Sequence, residues 1–90
     1  MSLNAVDKNF LRENGLKPTI QRLAISKILF SQGDKHFTAE EIKKLATSKG
    51  LKISVATIYN NLNHFVKVGL LKKRQVDNNR SYFDNNVNIT

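Results

Sequence analysis

Ser54-Val-Ala-Thr-Ile-Tyr-Asn-Asn-Leu62 is the stretch whose side chains could engage a polar partner. Ser54, Thr57 and Tyr59 carry hydroxyls, Asn60 and Asn61 carry amides, and Ala56 leaves room for close approach. Hydroxyls and amides bond phosphate oxygens and base edges, and asparagine matches the paired acceptor and donor of adenine. Read as a helix, the segment turns Val55, Ile58 and Leu62 to one side, with Ala56, Thr57, Asn60 and Asn61 outside and Tyr59 on the border. His64 and Lys67 continue the outward side. None of these outward residues is acidic, whereas a helix that needs only solubility carries Glu and Lys there.

Charge points to the same kind of partner. The chain has 15 Lys plus Arg against 7 Asp plus Glu, a net charge of +8. No acid stands between Glu41 and Asp77, an interval holding Lys43, Lys44, Lys49, Lys52, Lys67, Lys72, Lys73 and Arg74. A basic surface can be merely solvated, but here it brackets the helix just described, which favours a polyanion. Arg22, Lys72, Lys73, Arg74 and Arg80 are candidates for phosphate contacts. Ser54 reads first as a helix cap, and a cap at a docked helix N-terminus can also be a contact.

Composition narrows the function classes. Ninety residues, 40% hydrophobic and 24% charged, make one small soluble domain without room for a large internal pocket. The absence of cysteine excludes a disulfide frame and a thiolate zinc site within this chain. There is neither a bilayer-length apolar run nor the apolar stretch of a signal peptide, so a cytoplasmic location and no membrane partner are expected. The acids are scattered, whereas a metal-dependent nuclease clusters carboxylates round its ion, so no enzyme is expected. A sheet that binds structured RNA displays aromatics, and few are available here.

The elements that must position these residues read as four helices and a hairpin. The first helix covers about 5–14, with Val6, Phe10 and Leu11 inward and Gly15 as its stop. The second covers about 20–32, capped by Thr19, with Ile20, Leu23, Ala24, Ile28 and Leu29 inward and Gly33 closing it. Thr38-Ala-Glu-Glu41 is a capping box that starts a third helix, which buries Ile42, Leu45 and Ala46 and stops at Gly50. Ser54 caps the fourth helix, 55–68, whose inner side is Val55, Ile58, Leu62, Phe65 and Val66; Gly69 ends it. Residues 70–76 and 80–84 read as strands around Asp77-Asn-Asn79. The fold class is therefore mainly α: a winged helix-turn-helix of four helices followed by a two-stranded β-hairpin wing.

At this point the chain resembles the ferric uptake regulator family. Gly15-Leu-Lys-Pro-Thr-Ile-Gln-Arg22 resembles its entry motif, His36-Phe-Thr-Ala-Glu-Glu-Ile42 its third-helix start, and Ser54-Val-Ala-Thr-Ile-Tyr59 its recognition-helix signature. Phe65 through Leu70 resembles the helix exit, and Tyr82-Phe-Asp84 the second wing strand. Asn60-Asn-Leu62 and Tyr82-Phe-Asp-Asn85 look most like the iron response regulator branch of alphaproteobacteria, although the heme-regulatory Cys-Pro motif of some members is absent.

The resemblance implies a sequence-specific DNA-binding domain of an iron- or heme-responsive transcriptional regulator. In that reading residues 15–84 form the winged helix and 1–14 an N-terminal helix, with Met1-Ser2-Leu3 a leader of the kind cloning leaves. Residues 85–90 would begin a hinge to a C-terminal dimerisation domain beyond Thr90. The full-length protein would be a homodimer on an A/T-rich palindrome of double-stranded DNA; the fragment alone would be a monomer. By the resemblance Tyr59 contacts thymine methyls and phosphate, and Lys17 reaches an adjacent minor groove. Asn60 stands where many members carry arginine; arginine pairs with guanine, whereas asparagine suits adenine, and a merely solvated amide is the alternative. His36 and Asp84 match ligands of the family's regulatory metal site, with the remaining ligands beyond Thr90. No cofactor is expected in the fragment; iron, another divalent metal or heme is expected in the full-length protein. The rival reading is a winged-helix module that binds protein and reads no DNA.

Overall fold

The computed structural model describes residues 6–31, 36–77 and 80–85. Its elements in chain order are α1 (Lys8–Glu13), α2 (Ile20–Phe30), β1 (His36–Phe37), α3 (Ala39–Ser48), α4 (Val55–Lys67), β2 (Lys72–Asp77) and β3 (Arg80–Asp84). Gly33 and the Asn78-Asn79 turn lie outside the described residues; the first helix, expected from about 5, begins at Lys8 because Asp7 caps it, and the second, expected to about 32, ends at Phe30.

Local chemistry sets the helix ends. The side chains of Asp7, Thr19, Thr38 and Ser54 each accept a backbone N–H of the first turn of the helix that follows. At α3 the capping box is complete: the Glu41 amide donates to Thr38 Oγ1 at 3.2 Å, and the Thr38 amide donates to Glu41 Oε1 at 2.9 Å. At the end of α4, Gly69 takes a φ of 87°, a left-handed conformation that costs a glycine nothing sterically. That turn lets the Leu70 amide donate to the Phe65 carbonyl at 2.9 Å and the Gly69 amide to the Val66 carbonyl at 3.0 Å, which closes the helix and sends the chain into the wing.

The three described strands make one antiparallel sheet in the order β1-β3-β2. The wing is therefore larger than the expected two-stranded hairpin. His36 and Phe37 add a short strand on the far edge of β3, in register with Asp84 and Phe83. A two-residue strand leaves too short an apolar alternation to read from sequence. The pairing fixes the wing to the start of α3, because Thr38 follows directly.

Phe37, Phe65 and Phe83 come from β1, α4 and β3 and are fully buried together with Leu11, Ile25, Ile28, Leu29, Ile42, Ile58 and Leu62. Each such aromatic or aliphatic side chain contributes about 1.5–3 kcal/mol by leaving water. Two inward expectations fail. Ile20, expected inside α2, is 86% exposed, and Val55 at the start of α4 is 37% exposed. Apolar residues surround most of α2, so their spacing does not choose a face; the core takes Ile25, Ser26, Ile28 and Leu29. Val55 stands in the first turn of α4, on the rim of the groove between the helix and the wing.

Candidate nucleic-acid interface

The outer side of α4 is open along its length. Ala56, Asn60, His64 and Lys67 are exposed, and Tyr59 is 36% exposed. Thr57 is half-buried; its amide donates to Ser54 Oγ at 3.1 Å, and the Ser54 hydroxyl donates to Thr57 Oγ1 at 3.0 Å. Asn61 departs from expectation. It is only 7% exposed, so it belongs to the inner side of α4. Its Nδ2 donates to the Thr57 carbonyl at 2.9 Å, and its Oδ1 accepts from Arg22 Nε at 2.8 Å. A buried amide is tolerable because both ends are bonded.

On the wing side, Lys73 joins the sheet to α4. Lys73 pairs with Phe83 across β2 and β3, so both share the sheet face that looks toward the helices. Its Nζ donates to Tyr59 Oη at 2.9 Å and lies 3.4 Å from Asn63 Oδ1. The ammonium is 5.0 Å from the Tyr59 ring centre, a distance that follows from this hydrogen bond, and 5.9 Å from that of Phe83. The Tyr59 ring meets Phe83 edge-on at 5.8 Å. The Lys73 hydrogen bond holds the Tyr59 hydroxyl below its ordinary value of 10; partial burial opposes it, while Ser81, the Lys73 charge and Asn63 reinforce it. With its oxygen occupied as an acceptor, Tyr59 keeps its own proton to donate.

A groove of about 630 Å³ opens between α3, α4 and the wing, with Tyr59, Lys73, Arg80 and Ser81 on its walls and Glu40 and Glu41 at its α3 rim. Lys72 and Arg74 lie on the other face of the sheet. They pair with Asp84 and Tyr82, and Arg74, Tyr82, Asp84 and His36 line a common hollow there. The wing cation that faces α4 is thus Lys73, not its neighbours. Alternation from the buried Leu71 carries this signal, since residues two apart in a strand share a face.

The opposite flank is built around Arg22. It is half-buried and reaches Asn61, His64 and the carbonyl of Lys17. Lys17 itself has an exposed side chain on the loop between α1 and α2.

His36 and Asp84, 48 positions apart in sequence, are direct register partners on adjacent strands. Paired residues of neighbouring strands project to one face, so an imidazole and a carboxylate stand side by side, a donor pair suited to Fe(II), Mn(II) or Zn(II). The His36 ring also meets Tyr82 edge-on at 5.6 Å. Among the described residues no group of three His, Cys, Asp or Glu could hold a metal, so a complete site needs donors from elsewhere. No described helix is long and apolar enough to cross a membrane.

Known proteins agree with this geometry. The model of the ferric uptake regulator family matches residues 13–89. The chain is 38% identical over 79 residues to a ferric uptake regulation protein of Haemophilus ducreyi, covering 86% of this chain and 53% of that protein. It is 43% identical over 77 residues to a peroxide-responsive repressor of Staphylococcus epidermidis, covering 86% and 51%. The chain thus spans about half the length of the curated relatives it matches. Among solved structures, the ferric uptake regulator of Pseudomonas aeruginosa with manganese superposes with a TM-score of 0.79 at 32% identity, covering 88% of this chain and 59% of that one. The regulator of Vibrio cholerae gives 0.76 at 33% identity, covering 84% and 58%. These relatives include ferric-uptake and peroxide-responsive regulators, and they do not extend the resemblance to the iron response regulator branch. Four helices, a capped helix-turn-helix pair and an antiparallel wing, matched in sequence and in three dimensions, establish that the chain belongs to the ferric uptake regulator family.

Proposed function

We propose that this chain is the sequence-reading DNA-binding domain of a metal-responsive transcriptional regulator. α4 enters the major groove, with Ala56, Tyr59 and Asn60 against base edges and Ser54 and Thr57 at its N-terminal end. Lys73 and Arg80 meet the flanking phosphates, and Lys17 approaches the adjacent minor groove. Lys72 and Arg74, on the far side of the wing, add to the long-range field. The single observation that carries this reading is the outer side of α4: it is exposed from end to end, free of acid and flanked by cations on both sides.

In the full-length protein two such domains would read a palindrome about one helical turn apart, roughly 34 Å. Asn60 leans the preference toward A/T. Effector control would be by iron, by another divalent metal or through heme, with His36 and Asp84 as two ligands of the metal site and the rest from a C-terminal dimerisation domain. Action in the cytoplasm follows from that role.

The test is selection from a randomised duplex pool followed by binding assays across a salt series. The chain should enrich a defined sequence, with affinity that falls steeply as salt rises. Tyr59→Ala should abolish preference for that sequence while circular dichroism stays native. Failure to enrich any sequence would sink the proposal, and unchanged affinity in Tyr59→Ala would remove Tyr59 from it.

A further inference from the structure

Arg22 carries its charge on a flank of the outer side of α4, yet its guanidinium is turned inward. Nε donates to Asn61 Oδ1 at 2.8 Å, Nη1 donates to the Lys17 carbonyl at 3.1 Å, and Nη2 lies 2.7 Å from His64 Nδ1. A guanidinium has only hydrogens to give, so Nδ1 of His64 must accept and its ring proton sits on Nε2. Asn61 is locked in the matching orientation, because its Nδ2 is bonded to the Thr57 carbonyl and only Oδ1 is left for Arg22. One planar fork thus ties together the loop bearing Lys17, the first turn of α2 and the middle and last turn of α4.

We infer that Arg22 is a positioning residue and not a phosphate contact. It sets the offset between the Lys17 loop and the reading side of α4, so that both engage one duplex in a fixed register. The inference rests on the DNA-binding reading above. Three acceptors spread over a loop carbonyl, an amide and an imidazole suit a rigid fork and cannot be bridged in the same way by the single ammonium of lysine. The acceptor on His64 also lies in the last turn of α4, where the negative end of the helix dipole favours a guanidinium over a phosphate. Asn61, the buried anchor, serves the same end from inside the helix.

Arg22→Gln removes the fork and the charge; Asn61→Leu removes the chief acceptor and touches no charge. Each should weaken binding to the selected duplex by roughly tenfold, the worth of one hydrogen bond to a charged group. Affinity for a scrambled duplex and the salt slope should stay at wild-type values. Lys17→Ala should cost less affinity in the Arg22→Gln background than alone. In the DNA-free chain, ¹⁵N relaxation should report increased motion of residues 15–19 in both variants. Should Arg22→Gln not fold, Arg22→Lys keeps the charge and breaks the fork: it should still weaken binding to the selected duplex and loosen residues 15–19, whereas a phosphate contact predicts wild-type affinity and an unchanged loop.

A phosphate contact predicts the opposite pattern. Arg22→Gln would weaken both duplexes alike with a salt slope lower by about one, and Asn61→Leu would change nothing. That pattern would overturn the inference. So would an unchanged 15–19 loop in the DNA-free variants, whether or not the wild-type chain selects a DNA sequence. A wild-type chain that selects none fails the functional reading by itself.

Discussion

The two flanks of α4 each carry a cation bonded to the helix, and they are built on opposite plans. On the wing side Lys73 meets an exposed hydroxyl and lies over the ring of Phe83. On the α2 side Arg22 meets a buried amide, an imidazole and a backbone carbonyl. Lysine holds a flexible point charge that can leave its partner for another anion, whereas an arginine fork on a desolvated acceptor is part of the frame. Equal charge on paper therefore conceals unequal settings: one flank holds a cation that can change partners and the other a cation bonded into the frame.

The comparison can be broken at its base or sharpened at its edges. The largest effect belongs to Phe83→Ala, which removes the platform under Tyr59 and Lys73 and should cost about 3–5 kcal/mol. For a domain of this size that is a fall in Tm of roughly 15 °C or more in a thermal melt. A drop of only a few degrees would mean that the wing flank does not depend on the core. Asn61→Ala comes next, at about 1.5–3 kcal/mol in urea unfolding, because the hydrogen bond it loses is to a charged partner. Lys73→Met should cost less than about 1 kcal/mol, since exposed pairs and surface cation–aromatic contacts are weak. Equal losses in these two variants would erase the distinction between frame and contact.

The smallest effect is one of titration. Lys73 holds the Tyr59 hydroxyl below its ordinary value of 10, so ultraviolet titration should resolve a tyrosine ionising early, and Lys73→Met should move it back up. The lower value belongs to the folded state. Its contribution to stability is present above the ordinary tyrosine value and is lost as pH falls through the folded one. Near neutral pH wild type and Tyr59→Phe should therefore show the same pH dependence.

Much of the frame was legible because it is written in local chemistry. Thr19, Thr38 and Ser54 stand at helix starts as their hydroxyls require, and Gly69 ends α4 as a left-handed residue must. Family membership was legible from ordered motifs and is borne out by the match over residues 13–89. What failed was whatever depends on distant partners. The face of α2 is chosen by the core and not by its own spacing, so Ile20 was misread. Asn61 looked like a reading amide because Arg22, 39 residues earlier, does not appear in a helical wheel. The third strand was missed because two residues carry no period, and with it the pairing of His36 to Asp84. Lys73 could have been singled out by counting from Leu71.

The short β1 has one more effect, on how copies of the chain behave toward each other. Among the described residues it makes one border of the sheet a two-residue stub, and the other border, β2, begins with Lys72, Lys73 and Arg74 in succession. A stub offers too few free backbone groups to recruit a foreign strand, and consecutive cations repel an identical neighbour. A small sheet is thereby kept from polymerising edge to edge.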